Sequence, residues 1–261
     1  MGKTSLKVMT YNIHHGVGTD DKLDLPRIAN VINLAMPDVV ALQELDRFWA
    51  RSGHANQPQE LADLLGMRYR YAPNLYLYPE TVFEADREFG VATFSRYPII
   101  RNDHHLLHTP DGWEQRGLLD TRVNVPGMGE VSVLNTHLQS DANGESRTAA
   151  WQRQDQSAWI SKYIANLDVP VILMGDFNAE PESNDLDALT ASKSGLADAW
   201  KLAGQGSGDT IIHGAHGETR ARIDCIFTSS RIVAMRAEVI DNALSRMASD
   251  HLPLVADLAL G

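Results

Sequence analysis

The apolar residues of this chain come in short runs, and run after run ends on a carboxylate, an amide or an imidazole. Residues 5-13 carry Asn12, residues 38-43 lead into Glu44, residues 130-137 end on His137, and residues 170-176 end on Asp176 with Asn178 two positions on. Asp224 interrupts the apolar run 222-229, and Asp250 and His251 stand directly before the run 252-258. Runs of this length, with β-branched residues, fit buried strands better than helices. A fold that aligns the ends of these strands collects the polar groups along one edge, which is the layout of a catalytic site.

Helical patterns alternate with these runs, as in layered α/β proteins. Asp24 is a plausible N-cap for a helix with Pro26 in its first turn, Ile28, Val31, Ile32 and Ala35 on one face, and an end before Pro37. A second helix is expected over 57-65, closing at Gly66, and the longest over about 145 to 167, with Ile160, Ile164 and Leu167 inward. Residues 90-95 and 118-125 are further strand candidates; the turn Pro126-Gly127-Met128-Gly129 then joins 118-125 to 130-137 as a hairpin. Hairpins mixed with helical crossovers predict an α/β (α+β) fold with two packed mixed sheets flanked by helices, rather than a purely parallel sheet. The 261 residues, with no Pro/Gly/Ser-rich linker, suit one domain over 1-261.

Composition bears on partners. A net charge of -11, with no Lys/Arg cluster, argues against tight, extended binding of nucleic acid, although a bound divalent metal can reverse the local sign at a site. No apolar stretch approaches the roughly 20 residues of a membrane span. The single cysteine, Cys225, cannot form an internal disulfide, and the N-terminus lacks the order of a secretory signal, so a cytoplasmic location is expected, or a secreted one if a signal has been removed. No obligate protein partner is evident.

The most informative segment is Val171-Ile172-Leu173-Met174-Gly175-Asp176-Phe177-Asn178, where a buried run ends in a carboxylate and an amide two apart, on the same side of the emerging backbone. A strand-end turn is the plain alternative. Glu44 closes a run so apolar that desolvating it calls for a partner, and Mg²⁺ or Mn²⁺ is the natural one; taken alone, it reads more simply as a surface residue opening the next loop. His137 and His251 titrate near neutrality and suit proton handling or contacts to phosphate oxygens, and Asp224 would find its partner in His251. The segment 46-89 carries Arg47, Arg51, His54, Tyr69, Tyr71, Tyr76 and Tyr78: either a wall over the site or, more simply, tyrosines against the helix at 57-65 and solvated arginines. Arg51 and Arg116 are candidate substrate contacts. His104, His105 and His108 read as loop residues, and Trp151 and Trp159 as core-facing on their helix.

Taken in order, Thr10-Tyr11-Asn12, Leu42-Gln43-Glu44, Asn135-Thr136-His137-Leu138, Gly175-Asp176-Phe177-Asn178, Arg222-Ile223-Asp224 and Ser249-Asp250-His251 resemble the motifs of the endonuclease/exonuclease/phosphatase superfamily. They run from residue 10 to 251, and with the continuation Ile13-His14-His15-Gly16 the pattern is most similar to the superfamily's bacterial metal-dependent hydrolases. The resemblance implies a four-layer α/β sandwich and hydrolysis of a phosphoester, most simply a phosphodiester of a small or exposed substrate, by in-line attack of water with one or two Mg²⁺ or Mn²⁺ ions. By the same resemblance Glu44 would bind metal with Asn12 close by, and Asp250 would serve the metal region. Asp176 would activate the water, helped by Asn178; His251, oriented by Asp224, would contact the phosphoryl oxygens, and His137 would act on the leaving side. Where abasic-site endonucleases are similar in having a Tyr and paired Asn, this chain has Leu138-Gln139-Ser140-Asp141-Ala142, and neither a Lys-rich inositol-phosphate pocket nor a membrane-docking hairpin is evident. A DNA or RNA nuclease is the first rival reading. A non-catalytic binding scaffold is the second, and the presence of Glu44, Asp176, Asn178 and His251 counts against it.

Overall fold

The computed structural model describes residues 5–79, 85–141, 144–190, 195–212 and 220–261; residues 80–84 of the segment 46-89 and Ala142 lie outside them. In chain order the elements are β1 (Ser5–Asn12), α1 (Leu25–Ala35), β2 (Val39–Arg47), α2 (Gln57–Leu65), β3 (Arg68–Leu77), β4 (Arg87–Ser95), β5 (Ile99–Leu106), β6 (Gly117–Val125), β7 (Gly129–His137) and α3 (Ser146–Ile164). There follow β8 (Val171–Asp176), α4 (Asp187–Thr190), β9 (Leu196–Asp198), α5 (Ala199–Ala203), β10 (Asp224–Ser229), β11 (Ile232–Val239), α6 (Ala243–Ala248) and β12 (Leu254–Leu260). Among the described residues the strands form two mixed six-stranded sheets, ordered β11-β12-β1-β2-β4-β3 and β5-β6-β7-β8-β10-β9.

Strand alternation divides the apolar residues into three buried layers, which makes the four-layer sandwich. In β1, Leu6 and Val8 face the opposing sheet and meet Val133, Ile172, Met174 and Ile226 there, while Met9 and Tyr11 face outward to Ile28, Val31 and Ile32 of α1 and Leu61 of α2. In β8, Ile172 and Met174 face inward, and Leu173 packs outward with Leu134, Phe227, Ile160 and Ile164 beneath α3. Each fully buried Leu, Ile or Phe stabilises by roughly 1.5–3 kcal/mol relative to exposure. A one-residue slip would turn a whole strand's apolar set to the wrong layer, so this alternation also fixes the register.

The local signals act as expected at α1, where the Asp24 side chain accepts from the Arg27 N–H at 2.9 Å and Pro26 sits in the first turn. At the hairpin, Val125 pairs with Gly129, and Gly127 and Gly129 supply the left-handed φ of 76° that the turn requires.

Several expectations are corrected. Trp151 and Trp159 face outward on α3, 52% and 36% exposed, because the helix buries Gln152, Gln156 and Ser157 beside its apolar positions and so hides its inner face from a hydrophobic count. Residues 104 and 105 belong to β5, where His105 lies against the rings of Trp159 and Tyr163 at 5.4 and 4.8 Å; His108 is in a loop. The polar strand β5 and the strand β3 carry no clean apolar alternation and are missed from sequence, as are β9, β11 and the short helices. Within the segment 46-89, Tyr69 and Tyr71 pack on the layer beside α2, whereas Tyr76 and Tyr78 are exposed. Its arginines are not simply solvated: Arg47 pairs with Glu88 at 2.7 Å and Arg51 with the buried Asp46.

Candidate active site

The topology brings the polar strand ends together. β1 runs parallel to β2, with Asn12 opposite Gln43, and β7 runs parallel to β8, with His137 opposite Asp176. The antiparallel β10 begins at this same end, so that Asp224 lies opposite Asp176. β12 returns beside β1, and its leading residues Asp250 and His251 fall at the same edge. Crevices at the carboxyl ends of parallel strands are the usual place for ligands in α/β sheets.

Glu44 does not follow its strand, as the sequence suggests, but lies inside β2. The β2–β4 register shifts between Leu42 and Leu45, and Glu44 takes a left-handed φ of 61° within that bulge. The bulge re-aims one side chain out of an otherwise buried strand. Asn178 likewise has φ 50°, and its N–H donates to Asp176 Oδ1 at 2.9 Å, so the strand-end turn and the chemical pair are one structure.

Asn12 joins the carboxylates. Its Nδ2 donates to Glu44 Oε1 and to Asp176 Oδ2, both at 2.9 Å, and its Oδ1 accepts the His14 N–H at 3.0 Å, which fixes the direction of the amide. The Ser249 hydroxyl donates to the Asn12 carbonyl at 2.8 Å, tying the segment before His251 to the end of β1. His251 Nδ1 donates to the buried Asp224 Oδ2 at 2.7 Å, which turns Nε2 toward Asp176 Oδ2 at 3.8 Å. Both ring nitrogens of His137 face donors: Arg116 Nη1 lies 3.1 Å from Nδ1, and Asn178 Nδ2, which also donates to the Leu138 carbonyl at 3.1 Å, lies 3.0 Å from Nε2, the nitrogen 3.4 Å from Asp176 Oδ2.

Burial and charge separate the two histidines. Burial pushes His251 down, but the carboxylates of Asp224 and Asp176 outweigh it and hold the imidazole well above its ordinary value. His137 is held well below its ordinary value by burial, by the Arg116 charge and by His251. Burial, reinforced by the charge of Asp224, pushes Asp176 up to about 7, and burial also raises Glu44, with Asp250 adding to the effect. A cluster of carboxylates with raised values is the electrostatic signature of a site that gains by taking up a cation.

These groups open on a cavity of about 380 Å³, whose walls include Glu44, His137, Asp176, Asn178, Asp250 and His251. Arg51 and Arg116 line it too, so every candidate from sequence except Asn12 and Asp224 borders it directly, and those two stand behind it, bonded to wall residues. Asp176, Asp224 and His251 also have ligand atoms within 4.8 Å of one another. Within this trio Asp224 and His251 are bonded to each other at 2.7 Å, and His251 Nε2 faces Asp176 Oδ2 at 3.8 Å. Sequence reasoning gives no role to His14, His15, Glu114, Gln43 or Asn135. The first three line the cavity; the last two form a buried bridge between the sheets, Gln43 Nε2 donating to Asn135 Oδ1 at 2.8 Å. Their only sequence signal is position, beside Glu44 and His137 in the motifs.

A mixed two-sheet sandwich with acids, imidazoles and an amide at one edge defines a class of phosphoester hydrolases. The sequence profile of the Endonuclease/Exonuclease/phosphatase family matches residues 9–251, and the chain belongs to that family. Its members are phosphoester hydrolases that typically use divalent metals. The chain is similar to an inositol phosphosphingolipids phospholipase C of Schizosaccharomyces pombe, 28% identical over 175 residues, which span 62% of this chain and 38% of that protein. Among solved structures, an endonuclease/exonuclease/phosphatase from Beutenbergia cavernae superposes with a TM-score of 0.79 at 28% identity, covering 98% of this chain and 72% of that one. The mannosyl-6-phosphatase Bt3783 of Bacteroides thetaiotaomicron shares the fold, with a TM-score of 0.71 at 20% identity over 98% of this chain and 100% of its own. Among the described residues, no helix is long and apolar enough to cross a membrane.

Proposed function

We propose that residues 1-261 form one catalytic domain that hydrolyses phosphodiesters by in-line attack of an activated water, with Mg²⁺ or Mn²⁺ as cofactor. The observation that carries this reading is the Asn12 amide, which holds Glu44 and Asp176 at 2.9 Å each and so joins a metal-binding carboxylate to a proton-accepting one at a single cavity wall. Phosphoryl transfer is catalysed chiefly by positioning and by neutralising charge on the non-bridging oxygens, and this wall offers groups for both.

In this reading Glu44 and Asp250 hold the ion, with Asn12 fixing the Glu44 carboxylate. The bound ion supplies Lewis-acid stabilisation of phosphoryl charge. Asp176, with a value close to neutrality, accepts the proton of the attacking water, and Asn178 keeps that carboxylate in place while contacting the phosphate. His251, kept cationic by Asp224, donates from Nε2 to a phosphoryl oxygen. His137 stays neutral and acts on the leaving side, with Arg116 at its Nδ1. Arg51 and Arg116, which also line the cavity, contact the substrate.

A diester is favoured over a monoester by the similarity to a protein named a phospholipase C, and the net charge of -11 argues for a compact substrate over a nucleic-acid chain. The test is hydrolysis of bis(4-nitrophenyl) phosphate, 4-nitrophenyl phosphate, and single- and double-stranded DNA and RNA, each with Mg²⁺, Mn²⁺ or chelator. Activity on the diester that needs metal and is absent from Asp176→Ala is expected. Faster turnover of either nucleic acid would make this a nuclease, and metal-independent turnover would overturn the mechanism.

A further inference from the structure

The loop over residues 107–116 brings an acid and a base to the cavity mouth in an unequal arrangement. The loop is closed on itself: the Leu107 N–H donates to the Arg116 carbonyl at 2.9 Å, and Gln115 Nε2 donates to the carbonyls of Leu107 and Arg116 at 2.6 and 2.7 Å. Arg116 is 5% exposed, and its Nη1 divides between His137 Nδ1 at 3.1 Å and Glu114 Oε1 at 2.8 Å. Its Nε, also buried, has no acceptor among the described residues.

Arg51 stands on the same cavity wall, clamped through Nε and Nη2 by the buried Asp46 at 2.8 and 2.7 Å and lying over the rings of Trp49 and Phe89 at 4.7 and 5.2 Å. The charge of Glu114 acts on this guanidinium as well. The two acids around these arginines therefore differ in kind. Asp46 is fully buried and holds Arg51 from behind, whereas the Glu114 side chain is 38% exposed and faces the cavity. A counter-ion that serves only structure belongs behind its arginine, as Asp46 does. A partly exposed one can give way to another oxyanion, since water still solvates it once the pair opens.

We propose that Glu114 is an internal stand-in for a second oxyanion of the substrate, so that the site selects diesters bearing a further phosphate or carboxylate near the scissile bond, received by Arg116 and Arg51. This rests on the phosphodiesterase reading for its reaction, though not for its binding site. The planar guanidinium of Arg116, with a donor unfilled, suits a tetrahedral or planar oxyanion.

Two measurements test it. In calorimetric titrations with chelator present, Glu114→Gln should bind inorganic sulfate or acetate about three- to tenfold more tightly than the wild type, as expected for removal of one competing exposed charge. The preferred anion tells phosphate from carboxylate. Glu114→Gln/Arg116→Lys, which keeps the cation without the planar fork, should lose most of that gain. Equal affinities in Glu114→Gln and wild type for both anions would overturn the proposal, as would a gain that survives in the double variant. The kinetic arm compares the 4-nitrophenyl ester of thymidine 5′-phosphate with the same ester carrying a 3′-phosphate. The ratio of their kcat/KM values should shift about three- to tenfold toward the 3′-phosphorylated ester in Glu114→Gln; an unchanged ratio counts against the proposal. If the wild type hydrolyses neither ester, the phosphodiesterase reading fails, while the anion titrations still decide the subsite.

Discussion

The two sheets are built alike around their centres and finished differently. In one, β1 and β2 run parallel through the crossover helix α1; in the other, β7 and β8 run parallel through α3; in both, the strands outside this pair are antiparallel. The first pair carries an amide at the end of β1 and a carboxylate in the bulge of β2, Asn12 and Glu44, and the second ends in an imidazole and a carboxylate, His137 and Asp176. In the second pair the acid itself, Asp176, is pushed up to about 7 and stands beside an imidazole. In the proposed reading one half of this scaffold holds a cation and the other moves a proton, and Asn12 bonds to the acids of both.

The sharpest way to break this division is to disable the proton-moving half alone. Asp176→Asn should lower kcat/KM for a diester by about a thousandfold or more, since it removes the proposed base and its charge together. Metal affinity, followed by titration with Mn²⁺, should fall far less than activity. A parallel collapse of both would mean that Asp176 belongs to the metal half.

Asp224→Asn probes the partner of that half. It should lower activity by roughly a hundredfold, since His251 loses its orienting acceptor. Imidazole NMR on the metal-free protein should show the His251 value fall from its raised position. The sign for stability follows from that shift: a histidine with a raised folded-state value stabilises fully below its unfolded value of about 6.5, and the benefit is lost as pH rises through the folded value. Denaturant unfolding should therefore find the variant's deficit largest in mild acid and shrinking toward alkaline pH. A deficit that grows with pH would show His251 neutral.

In the cation-holding half, Asn12→Ala should weaken Mn²⁺ binding about 10- to 100-fold, the usual effect of losing a group that orients a metal-binding side chain. Loss of activity without loss of affinity would assign Asn12 to the phosphate instead.

How much of this division is legible in sequence depends on the kind of signal. The central strands announce themselves because both faces are buried, as at Val171–Met174, and the chemical residues because each ends or interrupts such a run. The edge strands are silent: β5 reads Ile-Ile-Arg-Asn-Asp-His-His-Leu, with its pairing supplied by β6 rather than by any pattern of its own. α3 misleads because polar residues on its inner face, such as Gln156, reach buried backbone groups like the Gln139 N–H. Glu44 is found for the right reason and given the wrong setting, since a bulge depends on the neighbouring strand and leaves little trace in its own residues.

That bulge supplies the smallest and most discriminating test. Asn135, on β7 of one sheet, sends its Nδ2 across to the carbonyls of Leu42 at 3.0 Å and Ala92 at 2.9 Å on the other, where the ladder between β2 and β4 is about to be interrupted ahead of Glu44. Its Oδ1 accepts from Gln43, whose own amide contacts Thr10 Oγ1 at 3.2 Å. Gln43→Leu leaves a buried amide oxygen and a hydroxyl short of a partner, a cost of about 1–3 kcal/mol. Asn135→Leu strands two strand carbonyls at the bulge and should cost more, by denaturant unfolding, with the double variant less destabilised than the sum because the two share one bridge. The variants should also part company in metal binding: Asn135→Leu loosens the backbone that aims Glu44 and should lower Mn²⁺ affinity, whereas Gln43→Leu should act on stability with little effect on the ion. If both variants weaken the ion equally, the bridge supports the site as a whole, and the bulge is not the separate device that sets the cation-holding half apart.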